Sequence, residues 1–122
     1  SAGNATDFGD LLAVNSRGDG TSSSTRGLHL GGNTGSYSNV IQYVTIASTG
    51  DATDFGDLSA AKEENSATSN GIRAVNAGGE YHYTRTIDYV TIASTGNSQD
   101  FGDLTTDKSS HGACSEGHGG LG

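Results

Sequence analysis

The sequence predicts an all-β chain of tandem repeats, each about 46–47 residues of short antiparallel strands in the manner of a propeller blade, and incomplete at both ends. Three observations predict it. A nine-residue string recurs three times, an eight-residue strand-like string recurs twice without change, and the composition leaves no material for a helical core. The hydrophobic share is 31%, Pro, Met and Trp are absent, and 20 Gly, 16 Ser and 14 Thr make up about two-fifths of the 122 residues.

The nine-residue string runs Gly3-Asn4-Ala5-Thr6-Asp7-Phe8-Gly9-Asp10-Leu11 and returns as Gly50-Asp51-Ala52-Thr53-Asp54-Phe55-Gly56-Asp57-Leu58. It returns again as Gly96-Asn97-Ser98-Gln99-Asp100-Phe101-Gly102-Asp103-Leu104. Ahead of the second and third copies stand Tyr43 to Gly50 and Tyr89 to Gly96, identical at all eight positions. Double glycines follow at Gly31-Gly32 and Gly78-Gly79. These landmarks divide the chain into a partial repeat over 1–32, a full repeat over 33–79 and a partial repeat over 80–122.

Val40–Ala47 and Ile87–Ala93 are expected as equivalent strands, because they are rich in β-branched and aromatic residues and apolar on both faces. A strand apolar on both faces is covered on both. Leu28-His29-Leu30 and Ile72 to Ala77 read as shorter strands leading into the double glycines, where positive φ or a close backbone approach is available. Asp-Phe-Gly-Asp has turn chemistry: Asp7, Gly9 and Asp10, Asp54, Gly56 and Asp57, and Asp100, Gly102 and Asp103 are expected to build a repeated turn. Phe8, Phe55 and Phe101 are expected to anchor it by burial. Ser22-Ser23-Ser24 and Ser59 to Ser69 read as connections. A single unit of this kind cannot bury its own faces, so neighbours must stack.

A strand into a double glycine, then Tyr37 or Tyr81 and Tyr83, then another strand, resembles kelch-type propeller repeats over nearly the whole chain. Kelch blades carry a Trp late in the repeat; in this chain Phe8, Phe55 and Phe101 stand in that place. The string from Tyr89 through Asp-Phe-Gly-Asp-Leu is similar to repeat tracts in virion-associated proteins of aquatic bacteriophages. That resemblance implies a virion-surface, tail-fibre or extracellular component, with host-surface glycan as a partner.

Net charge is −8. Such acidity argues against nucleic-acid binding, which needs a basic face, and against anionic membrane surfaces. Cys114 is the single cysteine, so no intramolecular disulfide supports the fold. The Asp-Phe-Gly triplets lack the lysine strand, catalytic loop and phosphate loop of a kinase. Asp51, Asp54 and Asp57 follow no calcium-loop spacing, and His111, Cys114 and His118 form one unrepeated triple; no metal or cofactor is expected. No nucleophile elbow exists, and no catalysis is expected. Arg17-Gly18-Asp19 is read as a loop tripeptide. Tyr37, Tyr81, His82, Tyr83 and Arg85 lie in the connections after the double glycines, where aromatic rings beside polar groups suit sugar stacking; they are the candidate binding residues. The expectation is a non-enzymatic structural or adhesive repeat protein that self-associates, or joins a neighbouring structural protein, through open strand edges. A glycan- or protein-binding propeller is the second reading.

Overall fold

The computed structural model describes residues 2–80 and 84–115. Its eight strands form two four-stranded antiparallel sheets, each in simple up-and-down order. Sheet 1 holds β1 (Asp19–Ser22), β2 (Arg26–Leu30), β3 (Val40–Thr45) and β4 (Thr53–Asp57). Sheet 2 holds β5 (Ser66–Ser69), β6 (Arg73–Ala77), β7 (Thr86–Thr91) and β8 (Gln99–Asp103). Every register in sheet 1 recurs in sheet 2: Leu28 opposite Tyr43 becomes Val75 opposite Tyr89, and Ile41 opposite Gly56 becomes Ile87 opposite Gly102. Among the described residues there is no helix.

Two expectations are corrected. Asp54–Asp57 and Asp100–Asp103 are not turns but strand, within β4 and β8. The turn chemistry is nevertheless used locally. The register slips between Ile41 and Gln42 opposite Asp54 and Gly56, which makes a bulge at Phe55. There the Gly56 amide donates to Asp54 Oδ1 at 3.1 Å, as the Gly9 amide donates to Asp7 Oδ1 at 3.1 Å. The second correction concerns the connections. Ser22 closes β1, and Ser66–Ser69 is β5, a strand made of small polar residues. These two strands meet across the sheets, Ser69 Oγ donating to the Ser22 carbonyl at 2.6 Å and the Ala67 amide to Asp19 Oδ2 at 2.8 Å.

The core lies between the sheets. Side chains alternate along a strand, so one face of sheet 1 carries Leu28, Leu30, Ile41 and Phe55, with Tyr43 beside them. These pack on Ala74, Val90 and Ile92 of sheet 2. Sheet 1 therefore presents the face of its Tyr, and sheet 2 presents the opposite face, that of its Ala74 and Val90. The two sheets stack in the same sense rather than face to like face.

Candidate functional site

The joint between the sheets is built largely from the repeated residues. The Gly96 amide donates to the Phe55 carbonyl and the Ser98 amide to the Asp57 carbonyl, both at 2.8 Å. The Asp57 amide donates to Asn97 Oδ1 at 3.0 Å. Arg26, lying 4.4 Å over the Tyr43 ring, donates through Nη1 to the Ile92 carbonyl at 2.8 Å. Tyr43 meets Phe55 edge-on at 5.9 Å, which completes an Arg-Tyr-Phe stack across the face. The bulge lets the backbone come this close. At Gly56 φ is +151°, and a Cβ there would stand 2.2 Å from the Gly96 carbonyl oxygen.

The backbone half of this joint is made a second time. Phe8–Asp10 lies along the turn before β4: the Gly50 amide donates to the Phe8 carbonyl, the Ala52 amide to the Asp10 carbonyl, and the Asp10 amide to Asp51 Oδ1. A Cβ on Gly9 would stand 2.2 Å from the Gly50 carbonyl oxygen, the same clearance as at Gly56. The third copy keeps its internal stack, with Arg73 4.3 Å over Tyr89 and Tyr89 edge-on to Phe101 at 6.1 Å. Among the described residues nothing lies within 4 Å of a Cβ on Gly102.

Burial of the three phenylalanines follows from this. Phe55, between two sheets, is 3% exposed; Phe8 and Phe101 are 37% and 56% exposed. The expectation of three buried anchors holds for Phe55 alone, because only Phe55 has a complete sheet on each side. The opposite half of the joint is open too: Ile46, the counterpart of Ile92, is 47% exposed where Ile92 is 1% exposed.

A polar cluster gathers beyond the double glycine of sheet 1. Buried Glu63 is held on both oxygens, Oε1 by Arg17 Nη1 at 3.2 Å and Oε2 by Asn33 Nδ2 at 2.7 Å. Glu63 and Glu80 exchange backbone hydrogen bonds, as do Ser16 and Asn33 in the equivalent place. Tyr37 is half-buried here. Burial and the Glu80 and Glu63 carboxylates push its phenol above the ordinary tyrosine value, with Arg17 acting against them. Of the Arg-Gly-Asp tripeptide, Arg17 pairs with Glu63 and Asp19 opens β1. Arg85 makes a surface ion pair with Asp103 at 3.9 Å, and its carbonyl accepts from the Leu104 amide. Tyr81, His82 and Tyr83, and His118, lie outside the described residues.

Sequence reasoning missed a buried polar layer. Lys62 and Asp88 are fully buried in sheet 2 and its approach, where sheet 1 has Asn15 and Gln42 at the corresponding positions. Asp88 Oδ2 accepts from the Ser59 amide and hydroxyl, as Gln42 Oε1 accepts from the Leu12 amide. Burial holds the Lys62 ammonium below the ordinary lysine value, with the Asp88 charge acting against it. The signal was available: aligning the repeats shows a neutral pair exchanged together for an oppositely charged pair. Among the described residues no three His, Cys, Asp or Glu side chains gather as a metal site, and no helix is long and apolar enough to cross a membrane. No protein-family model matches the chain, and the search of curated proteins found no match to its sequence.

Proposed function

We propose that this is a non-enzymatic structural or adhesive repeat protein whose sheets are blades of a kelch-like propeller or open stack, assembling through its exposed sheet faces. The observation that carries this reading is the joint itself. Most of its residues recur along the chain, and its two halves are left incompletely covered at opposite sides of the described residues: Phe101 is exposed on one, and Ile46 is exposed on the other, where Phe8–Asp10 makes only the backbone part of the joint. Repeats that contact only their neighbours gain stability by continuing the stack. The resemblance to repeat tracts of virion-associated bacteriophage proteins supports a place on a virion surface, a tail fibre or an extracellular filament. Electron microscopy of the purified chain over a range of concentrations tests the reading. Rings or fibres of uniform width are expected, and particles of single-chain size at every concentration would overturn it.

A second reading is favoured by the cluster of Tyr37, Asn33, Arg17, Glu63 and Glu80. An aromatic ring beside fixed donors and acceptors is the arrangement that stacks and hydrogen-bonds a sugar. On this reading host-surface glycan binds beyond the double glycines, and Tyr37→Ala abolishes retention on an immobilised glycan that retains the wild type.

A further inference from the structure

We infer that the outer face of sheet 2 docks onto the outer face of sheet 1 in a second copy of this chain, displacing that copy's own Phe8–Asp10 and, from sheet 2, the docking copy's own Lys108–Ser115. The inference rests on the proposed structural reading and names the surface through which assembly occurs.

The argument is continuity with the joint already made inside the chain. That joint needs four things from its first partner: an Arg-Tyr-Phe stack, a phenylalanine carbonyl, an aspartate amide and an aspartate carbonyl. The outer face of sheet 2 has all four, in Arg73, Tyr89, Phe101 and Asp103. From its second partner the joint needs a strand end with a free carbonyl and a Gly-Asn-Ser turn. The outer face of sheet 1 offers Val44, the Ile46 carbonyl and Gly50-Asp51-Ala52, residues at the places of Val90, Ile92 and Gly96-Asn97-Ser98. Docked as sheet 1 docks on sheet 2, Arg73 Nη1 donates to the partner copy's Ile46 carbonyl. The Phe101 and Asp103 carbonyls accept from its Gly50 and Ala52 amides, and the Asp103 amide donates to its Asp51 Oδ1. The open space at Gly102 receives the Gly50 carbonyl.

The turn at Gly50 is already occupied by Phe8–Asp10, and that occupant fits poorly. It supplies the three backbone bonds but no arginine for the Ile46 carbonyl. It leaves Phe8 and Ile46 more than a third exposed, and a cavity of about 160 Å³ between Leu11 and the Gly27, Gln42 and Val44 face of sheet 1. On sheet 1 the exchange keeps the same three bonds and replaces an extended segment that belongs to no sheet by a strand backed by a complete sheet. On sheet 2 it frees the Gly79 amide, Glu64 and the Ser69 carbonyl from Lys108, Ser110 and Ser115, and residues 15–22 of the second copy take those places, as 62–69 do beside sheet 1. The two faces differ, so the contact is heterologous: each copy that docks leaves one open face at each end.

Sedimentation equilibrium of wild type, Phe101→Gln, Ile46→Gln and Phe8→Ser, with thermal midpoints as fold controls, tests the inference; none of the three changes alters net charge. Phe101→Gln and Ile46→Gln should each weaken association by about thirtyfold or more, as loss of a central apolar anchor does. Mixing them should restore one joint and give a one-to-one dimer that grows no further. Phe8→Ser, which loosens the competing segment, should tighten association. A wild type that assembles while Phe101→Gln and Ile46→Gln leave it unaffected, or a mixture that gives no dimer, overturns this joint and leaves the structural reading standing. Phe8→Ser weakening association overturns the displacement. A wild type that stays monomeric at every concentration overturns both the joint and the structural reading.

Discussion

Phe55 and Phe101 hold the same place in equivalent bulged strands and make the same edge-on contact with a tyrosine, so their difference in burial isolates what the neighbouring sheet contributes. Truncating Phe55 empties a site walled by both sheets. Phe55→Ala should cost roughly 3–5 kcal/mol, and Phe101→Ala less than about 1 kcal/mol, by urea denaturation at concentrations where the chain is monomeric. His29 gives a residue-scale test of a different kind. Its ring lies so close to Gly18 that a Cβ there would stand 2.5 Å from Cε1, and burial lowers its pKa from 6.5, with Asp19 opposing. Between the lowered value and 6.5 the unfolded chain binds more protons, so stability rises with pH across that window. Acidification through 6.5 should therefore begin to lower the thermal midpoint. His29→Asn, which installs the residue found at the corresponding position 76, should flatten that dependence; an unchanged slope would show that His29 does not carry it.

At the scale of elements the bulge is the decisive piece. Gly56 and Gly102 share φ values of +151° and +153°, so an alanine is equally strained at either. Only Gly56 has the Gly96 carbonyl against it. Gly56→Ala should accordingly destabilise by about 1–3 kcal/mol more than Gly102→Ala, the usual cost of overpacking, with both measured as monomers. The same piece shows what was legible. Strands β2, β3, β6 and β7 could be read from β-branched and aromatic content, and their equivalence from repeated strings. The strand nature of Asp-Phe-Gly-Asp could not. Asp and Gly at alternate places signal a turn locally, and what makes this segment a strand is pairing with β3 or β7: Asp100–Asp103 is strand with no turn across from it among the described residues, and Phe8–Asp10, which has the turn but no such partner, is not. Strands β1 and β5 were hidden for a related reason: apart from Thr21 and Thr68 their residues carry little strand preference, and Asp19 holds the Ala67 amide and Ser69 the Ser22 carbonyl only once both sheets exist. Of the candidate site, Tyr37 was legible as an aromatic in a polar connection. The acidic partners that raise its phenol lie far along the chain, Glu63 late in the same repeat and Glu80 at the start of the next, and nothing local announced them.

At the scale of the molecule, charge opposes the assembly that the sheet faces favour. Each chain carries −8, so two copies repel before any contact forms. The proposed joint itself adds little to this, because Asp103 of one copy takes the place beside Asp51 that the next copy's own Asp10 leaves. Repulsion between exposed charges is screened over about 10 Å at 0.1 M salt and over about 30 Å at 0.01 M. The apolar contacts of Phe101, Val44 and Ile46 are not weakened by such screening. Association measured by sedimentation should therefore strengthen as sodium chloride rises from about 0.01 M to 0.15 M, opposite to the trend of a complex held by complementary charges. Asp51→Asn removes one negative charge from each chain while relieving the Asp10 and Asp103 partners alike, so it should tighten association modestly, and chiefly at low salt. Association that weakens steadily with salt would mean that attraction between unlike charges holds the copies together, and would point to a surface other than these two sheet faces.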